Sequence, residues 1–138
     1  MPVARLSLVV FSGDFDRVHY ALSMAAAALA TNVPATLFFT MGGCRALLRP
    51  AVDGAPGWHR LEGGAAAAES ELKAKGLGGF GELLEACVEL GATIMVCEMG
   101  MRAVGLALDD LDPAIPITPG GLVTFLSDAS AEGSMVFV

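Results

Sequence analysis

The sequence predicts one α/β domain, a three-layer sandwich in which helices cover both faces of a mostly parallel sheet of about five strands. Short apolar runs alternate with longer helical patterns along the chain, as they do in repeated β-α units. The runs are apolar throughout, which is typical of strands that are covered on both faces. The length of 138 residues suits one domain with its own core, so we assign residues 1–138 to a single domain.

Strands are expected where short apolar runs are bounded by polar residues, glycine or proline. The expected strands are Val3–Phe11, Ala35–Met41, Ala92–Val96, a short one at Ala114–Ile117, and Ser134–Val138. Helices are expected between them, because apolar residues there recur at helical spacing and Asp14 or Asp16 can cap the first. The expected helices are Phe15–Ala30, Cys44–Arg49, Ala65–Lys75, Phe80–Leu90, Met99–Leu108 and one that Gly120-Gly121 opens.

Residues 53–75 differ in character from the rest of the chain. Glycine and proline are concentrated in the first part of this segment, and a charged, weakly amphipathic helix follows. Excursions of this length inside a compact domain are often functional or mobile. We therefore predict a flexible excursion at 53–75.

Composition excludes several classes of partner. The net charge is −7, and the eight Lys and Arg residues are scattered, so nucleic acid and anionic membranes are not expected to bind. The uncharged stretch between Arg17 and Arg45 contains Pro34, which divides it into a helix and a strand, and no membrane span is expected. The chain has no G-x-G-x-x-G or P-loop motif and no metal-ligand spacing, so we expect no cofactor and no metal.

The cysteines indicate a reducing compartment. The chain has three cysteines and no Cys-x-x-Cys pair, which is too few for a disulfide framework. Free thiols are typical of intracellular proteins, because the cytosol keeps them reduced. We therefore expect a cytoplasmic protein.

Three strand-to-helix turns are expected to meet at one edge of the sheet. Right-handed crossovers place the carboxyl ends of parallel strands along the same edge, which is where such folds bind ligands. The turns are Ser12–Asp16, Gly42–Cys44 and Cys97–Met101. The residues that we expect to support a site there are Ser12, Gly13, Gly42, Gly43, Cys44, Met99, Gly100, Met101 and Arg102, together with Gly120 and Gly121, which could hold an anion at a helix start.

Cys97 is the candidate reactive residue. It follows a buried strand and precedes a helix start, where unpaired amides and the helix dipole favour a thiolate. Glu98 opposes this effect, and Arg102 could offset the carboxylate from one turn away. The alternative is that Cys97 is only a small apolar residue that packs at the end of the strand.

Cys44 and Cys87 have different expected environments. Cys44 occupies the turn after the second strand, so it could lie beside Cys97 as a resolving thiol. The alternative for Cys44 is that it packs under its own short helix, away from Cys97, because disulfide pairing needs close Cα atoms. Cys87 lies on the apolar face of its helix and is expected in the core.

In the order and spacing of several segments, the chain resembles the DsrE/DsrF/DrsH-like sulfur-relay family, and within it the subgroup described as peroxiredoxin-like. The resemblance covers nearly the whole chain outside 53–75. The segments that carry it are Ala25–Gly43, Ile94–Met101, Val104–Leu106, Asp110–Leu111 and Gly120–Leu126.

This resemblance implies a function for Cys97. Sulfurtransferase members of the family hold a persulfide on one cysteine, and Cys97 falls on that position. The resemblance also implies homo-oligomers, trimers or hexamers, and rhodanese-type or TusA-type sulfur carriers as partners. We expect a sulfur carrier or sulfurtransferase subunit. The alternatives are a non-catalytic oligomeric module that binds a small ligand, and a thiol redox sensor that uses Cys44 and Cys97.

Overall fold

The computed structural model describes residues 3–118, 120–129 and 132–138 and contains a four-stranded parallel sheet. The order of the strands is β3-β2-β1-β4, and every neighbouring pair runs parallel. Each strand lies inside a predicted run and is shorter than that run. The strands are β1 (Leu6–Val10), β2 (Ala35–Phe39), β3 (Thr93–Val96) and β4 (Ser134–Phe137).

Five α-helices and three short 3-10 helices connect and cover these strands in the described residues. The α-helices are α1 (Phe15–Ala30), α2 (Ala65–Ala74), α3 (Phe80–Glu89), α4 (Glu98–Ala103) and α5 (Leu122–Asp128). The 3-10 helices are Met41–Leu47, Gly57–Arg60 and Leu108–Asp110.

The sheet has a large core on one face and a small one on the other. Leu8, Leu37 and Ile94 stand opposite one another in the register, and all three pack in the main core with residues of α1 and α3. On the second face, the ring of Phe38 stacks on that of Phe125 of α5, with centroids 4.6 Å apart. Helices therefore cover both faces, and the predicted three-layer α/β sandwich is confirmed.

The predicted fifth strand at Ala114–Ile117 is wrong, and the sheet has four strands. Residues here form a turn in which the amide of Ile115 donates to the carbonyl of Asp112 at 3.1 Å. Thr118 is the one described residue of this segment that pairs with β3, through its amide and the carbonyl of Ile94 at 2.7 Å. Pro116 has no amide hydrogen, so it cannot donate a ladder hydrogen bond.

α4 is shorter than the predicted Met99–Leu108, because the chain turns at Gly105. This glycine has φ of +76°, in the left-handed region that side chains rarely adopt. The amide of Leu106 donates to the carbonyl of Met101 at 2.9 Å, and that of Gly105 donates to Arg102 at 3.1 Å. This double hydrogen bond is the Schellman arrangement, which closes a helix.

Residues 53–75 contain packed elements. Trp58 of the 3-10 helix stacks on Phe80 with ring centroids 4.8 Å apart, and Leu61 is buried in the main core. The amide of Glu62 donates to the carbonyl of Gly13 at 2.8 Å, which ties the segment to the turn before α1. The flexibility of this segment stays a prediction.

Within the described residues, no helix combines the length and the hydrophobicity that crossing a bilayer requires.

The buried thiol of Cys87 gives a pH prediction. Its Sγ donates to the carbonyl of Leu22 at 3.5 Å, and burial raises the pKa of the thiol from 9.0 to about 11. The folded protein keeps this proton while the unfolded chain loses it above about pH 9. The stability that depends on this proton is therefore intact below that pH and is lost as the pH rises towards 11, by about 1.4 kcal/mol per pH unit.

Urea unfolding of the native chain and of Cys87→Ala between pH 8 and 10.5 checks this expectation. The difference in unfolding free energy between the two proteins should narrow as the pH rises, because only the native chain has this titrating thiol. A difference that stays constant over this range would contradict it.

Candidate functional site

Cys97 lies between the end of β3 and the start of α4. Its amide donates to the carbonyl of Phe39 at 2.9 Å, so the pairing with β2 extends one residue beyond β3. Cys97 is the N-cap residue of α4, and its Sγ accepts a hydrogen bond from the amide of Gly100 at 3.4 Å. The sulfur thus occupies the position in which a Ser or Asp oxygen usually caps a helix.

The sulfur of Cys97 is nearly enclosed, and one cleft reaches it. The residue is 3% exposed and packs with Phe38, Met95 and Phe125 on the second face of the sheet. It also lines a cleft of about 310 Å³, which we call the sulfur cleft. The other described residues that line it are Glu98, Met99, Gly120, Gly121 and Leu122.

Gly100 allows α4 to start against the end of β2. A Cβ atom at this position would collide with the hydroxyl of Thr40 and would lie 2.6 Å from the amide nitrogen of Met41. Only glycine therefore permits this approach, which brings the amide of residue 100 to the sulfur of Cys97. The turn after β3 and the turn after β2 are in direct contact here.

The structure also brings the turn after β1 to this edge. The backbones of Gly13 and Gly42 touch, since a Cβ atom at Gly42 would lie 2.9 Å from the Cα of Gly13. The amide of Gly43 donates to the carbonyl of Phe11 at 3.2 Å. The hydroxyl of Ser12 accepts a hydrogen bond from its own turn, from the amide of Asp14 at 3.0 Å. These contacts hold the turns after β1 and β2 together at this edge of the sheet. The candidates Ser12, Gly13, Gly42 and Gly43 do not line the sulfur cleft.

Cys44 is a buried neighbour of Cys97. It lies in the 3-10 helix Met41–Leu47 and is fully enclosed. The pKa of its thiol is raised from 9.0 to about 12, mainly by burial and also by the charge of Cys97, while its own backbone amide and Arg45 act in the opposite direction. Cys44 therefore packs under its own short helix, as one alternative stated, and it is also close enough to Cys97 for their charges to interact. It carries a proton at neutral pH.

The remaining candidates of α4 divide between the core and the surface. Met101 is buried in the main core, whereas Met99 is 67% exposed at the mouth of the sulfur cleft. Arg102 is exposed and lines a shallow hollow together with Glu98. No ion pair joins these two side chains in the part of the chain that the structure describes.

A second cleft adjoins the first, and sequence reasoning missed it. We call it the side cleft; its volume is also about 310 Å³. It shares Glu98 and Gly120 with the sulfur cleft. Arg49 and the turn that replaces the predicted fifth strand form its walls, so no local motif could have indicated it. Its apolar residues are Val96, Leu108, Leu111, Pro113, Ile115 and Ile117, and its other polar residues are Asp109, Asp112 and Thr118.

Two solved structures share this fold. The protein of unknown function MTH1491 from Methanobacterium thermoautotrophicum is 15% identical, with a TM-score of 0.55 over 97% of this chain and 98% of that chain. The ychN protein from E. coli is 16% identical, with a TM-score of 0.57 over 96% of this chain and 97% of that one. No match was found among curated proteins.

The comparison with protein families covers almost the whole sequence. The model of the DsrE/DsrF-like family matches residues 7–136, which include both clefts and all of the sheet except Leu6 and Phe137. The resemblance described from the segments around Cys97 is therefore confirmed. This chain belongs to the DsrE/DsrF-like family.

Proposed function

We propose that the chain is a sulfur carrier or sulfurtransferase subunit, which accepts sulfane sulfur as a persulfide on Cys97 and passes it to an acceptor thiol. The family suggests a role in sulfur relay in general. The observation that carries the proposal is the position of the Cys97 sulfur, which accepts the Gly100 amide and lines an open cleft. Transfer needs a nucleophilic sulfur that a donor can reach, and the amide at the sulfur and the cleft beside Cys97 support these two requirements.

The proposed transfer is a pair of thiol exchanges. The Cys97 thiolate attacks the outer sulfur of a donor persulfide, the donor S–S bond breaks, and the donor leaves as its thiolate. Cys97 then carries an extra sulfur as a persulfide anion. An acceptor thiolate attacks this outer sulfur and releases the Cys97 thiolate, so no external oxidant or reductant is consumed.

The surroundings of Cys97 suit a persulfide anion. Phe38, Met95 and Phe125 form an apolar wall on one side and keep water from the sulfur. The Gly100 amide donates towards the sulfur at 3.4 Å and would stabilise negative charge there. A persulfide that extends from Cys97 would occupy the sulfur cleft, where Met99 and Leu122 are the apolar neighbours.

A thiol redox sensor that uses Cys44 and Cys97 is the second candidate, because the charges of the two cysteines interact. In such a sensor, one thiolate attacks the oxidised partner. The raised pKa of Cys44 keeps that residue protonated, which favours Cys97 as the single reacting thiol. A third candidate is a non-catalytic module in which the sulfur cleft binds a small ligand and Cys97 only packs.

We further propose that the chain forms homo-oligomers, trimers or hexamers, in the cytoplasm, where rhodanese-type or TusA-type carriers exchange sulfur with it. The second face of the sheet supports association, because α5 covers it only in part. Val123 is 80% exposed and Phe137 is 68% exposed, and an apolar surface of this kind usually marks an interface. The other exposed apolar residues of this surface are Phe11, Met99, Leu122, Leu126 and Met135.

Loading with polysulfide tests the persulfide. The peptide that contains Cys97 should gain the mass of one sulfur atom, and reduction should remove it. Cys97→Ala should lose this gain entirely, while Cys87→Ala should keep it, because Cys87 lies in the main core. Intact and peptide mass spectrometry measure both.

The same samples separate the three candidate functions. No sulfur on Cys97, or equal loading of Cys97→Ala, would reject the persulfide carrier. A disulfide between Cys44 and Cys97 after mild oxidation, seen by non-reducing peptide mapping, would instead favour the redox sensor.

Light scattering tests the oligomer. The native chain should have the mass of a trimer or hexamer at micromolar concentration, and Val123→Glu should reduce it towards the monomer, because a charge is costly in an apolar interface. Leu77→Glu is the matched control, since Leu77 is exposed between α2 and α3, away from this surface. A monomeric native chain would contradict the proposal.

A further inference from the structure

The sulfur cleft and the side cleft adjoin each other, since Glu98 and Gly120 line both. Cys97 lines the first cleft, and the apolar residues Leu111, Ile115 and Ile117 line the second. A substrate with its sulfur at Cys97 would therefore extend past Glu98 towards an apolar floor.

Carboxylates dominate the charge of this site. Glu98, Asp109 and Asp112 line the side cleft, against the single guanidinium of Arg49. The Nε of Arg49 donates to the backbone carbonyl of Asp109 at 2.6 Å, so its position is fixed by the backbone and not by a carboxylate. The carboxylate of Asp112 accepts a hydrogen bond from the amide of Ala114 at 3.0 Å.

Glu98 is the carboxylate nearest to Cys97 in the chain, and its side chain has neither a hydrogen bond nor an ion pair in the described residues. Arg102 lines two neighbouring hollows together with Glu98 and is exposed to solvent. Three carboxylates and two guanidinium groups thus line the two clefts and the neighbouring hollows. Of the three carboxylates, that of Glu98 lines the sulfur cleft together with Cys97.

From this arrangement, which rests on the proposed function, we propose that the site selects thiols and persulfides that carry a positive charge a few bonds from the sulfur. An ammonium group on a short alkyl chain would lie between Glu98 and Asp112 while its sulfur reached Cys97, and its carbon atoms would contact the apolar floor. Anionic donors such as thiosulfate would meet Glu98 first and would be disfavoured. Both a small aminothiol and a peptide with lysine beside its cysteine have this chemistry.

Three symmetric disulfides of similar size test the selection without forming a persulfide. They are cystamine, bis(2-hydroxyethyl) disulfide and 3,3′-dithiodipropionate, which are cationic, neutral and anionic. In each reaction the Cys97 thiolate attacks one sulfur, forms a mixed disulfide, and releases the other half as a thiolate. For each disulfide, the rate at which the Cys97 peptide is modified is divided by the rate at which the same disulfide reacts with a small neutral thiol. This ratio removes differences in intrinsic reactivity between the three disulfides.

The normalised rates should fall from the cation to the neutral compound to the anion, with about a fivefold step between cation and neutral at low salt. This step should shrink towards unity in about 0.5 M NaCl, because salt screens exposed charges. Glu98→Gln should lower the ratio of the cationic rate to the neutral rate at least about twofold. Glu89→Gln makes the same change at an exposed site at the far end of α3 and should leave the ratio unchanged.

A second arm compares two peptide disulfides that differ only in lysine or glutamate next to the cysteine. If the protein prefers lysine in this arm and also prefers cystamine, the site selects the positive charge that the two compounds share. If it shows a preference in the peptide arm alone, the donor is a polypeptide. Equal rates for cation and anion in both arms, or an effect of Glu98→Gln no larger than that of Glu89→Gln, would overturn the proposal. These reactions need no persulfide, so they distinguish a failure of the proposed charge selection from a failure of polysulfide loading.

Discussion

The site depends on one close approach, that of the first turn of α4 to the end of β2. The absence of a side chain at Gly100 lets the helix start against Thr40 and Met41. As a consequence, the Gly100 amide reaches the sulfur of Cys97, which caps the helix in place of an oxygen. Any larger residue at position 100 would push the helix start outward and separate this donor from the sulfur.

The strand order of the parallel sheet makes this close approach possible. β2 and β3 are neighbours, so the turns that follow them must leave the sheet side by side. One turn supplies Cys97 and the other supplies the buried thiol of Cys44, and the two sulfur atoms differ in environment. Cys97 lines a cleft, whereas Cys44 is enclosed and retains its proton. The fold thereby separates a thiol that lines a cleft from one that is enclosed in the main core.

Patterns within single segments predicted most of the fold. The apolar runs around Leu8, Leu37 and Ile94 identified β1, β2 and β3, and the position of Cys97 between a strand and a helix was readable from adjacent residues. Two predictions failed for local reasons. Pro116 removes the amide that a fifth strand needs, and Gly105 closes α4 early by adopting a positive φ.

The side cleft could not be predicted, because residues far apart in the chain form it. Arg49 follows the 3-10 helix after β2, while Asp109 and Ile115 belong to a turn after α4. Their contact depends on how the 108–118 segment folds back on β3, and the sequence pattern indicated a strand there. The proximity that lets the charges of Cys44 and Cys97 interact was likewise open, since strand order cannot be read from the periodicity of each strand.

We propose that the native protein admits small reagents to the Cys97 thiol through the sulfur cleft and protects the other two thiols. Brief treatment of the folded, assembled protein with iodoacetamide, followed by peptide mass spectrometry, measures this for all three cysteines at once. The account predicts that Cys97 is alkylated first and that Cys44 and Cys87 react only after unfolding. Protection of Cys97 as complete as that of Cys87 would contradict it.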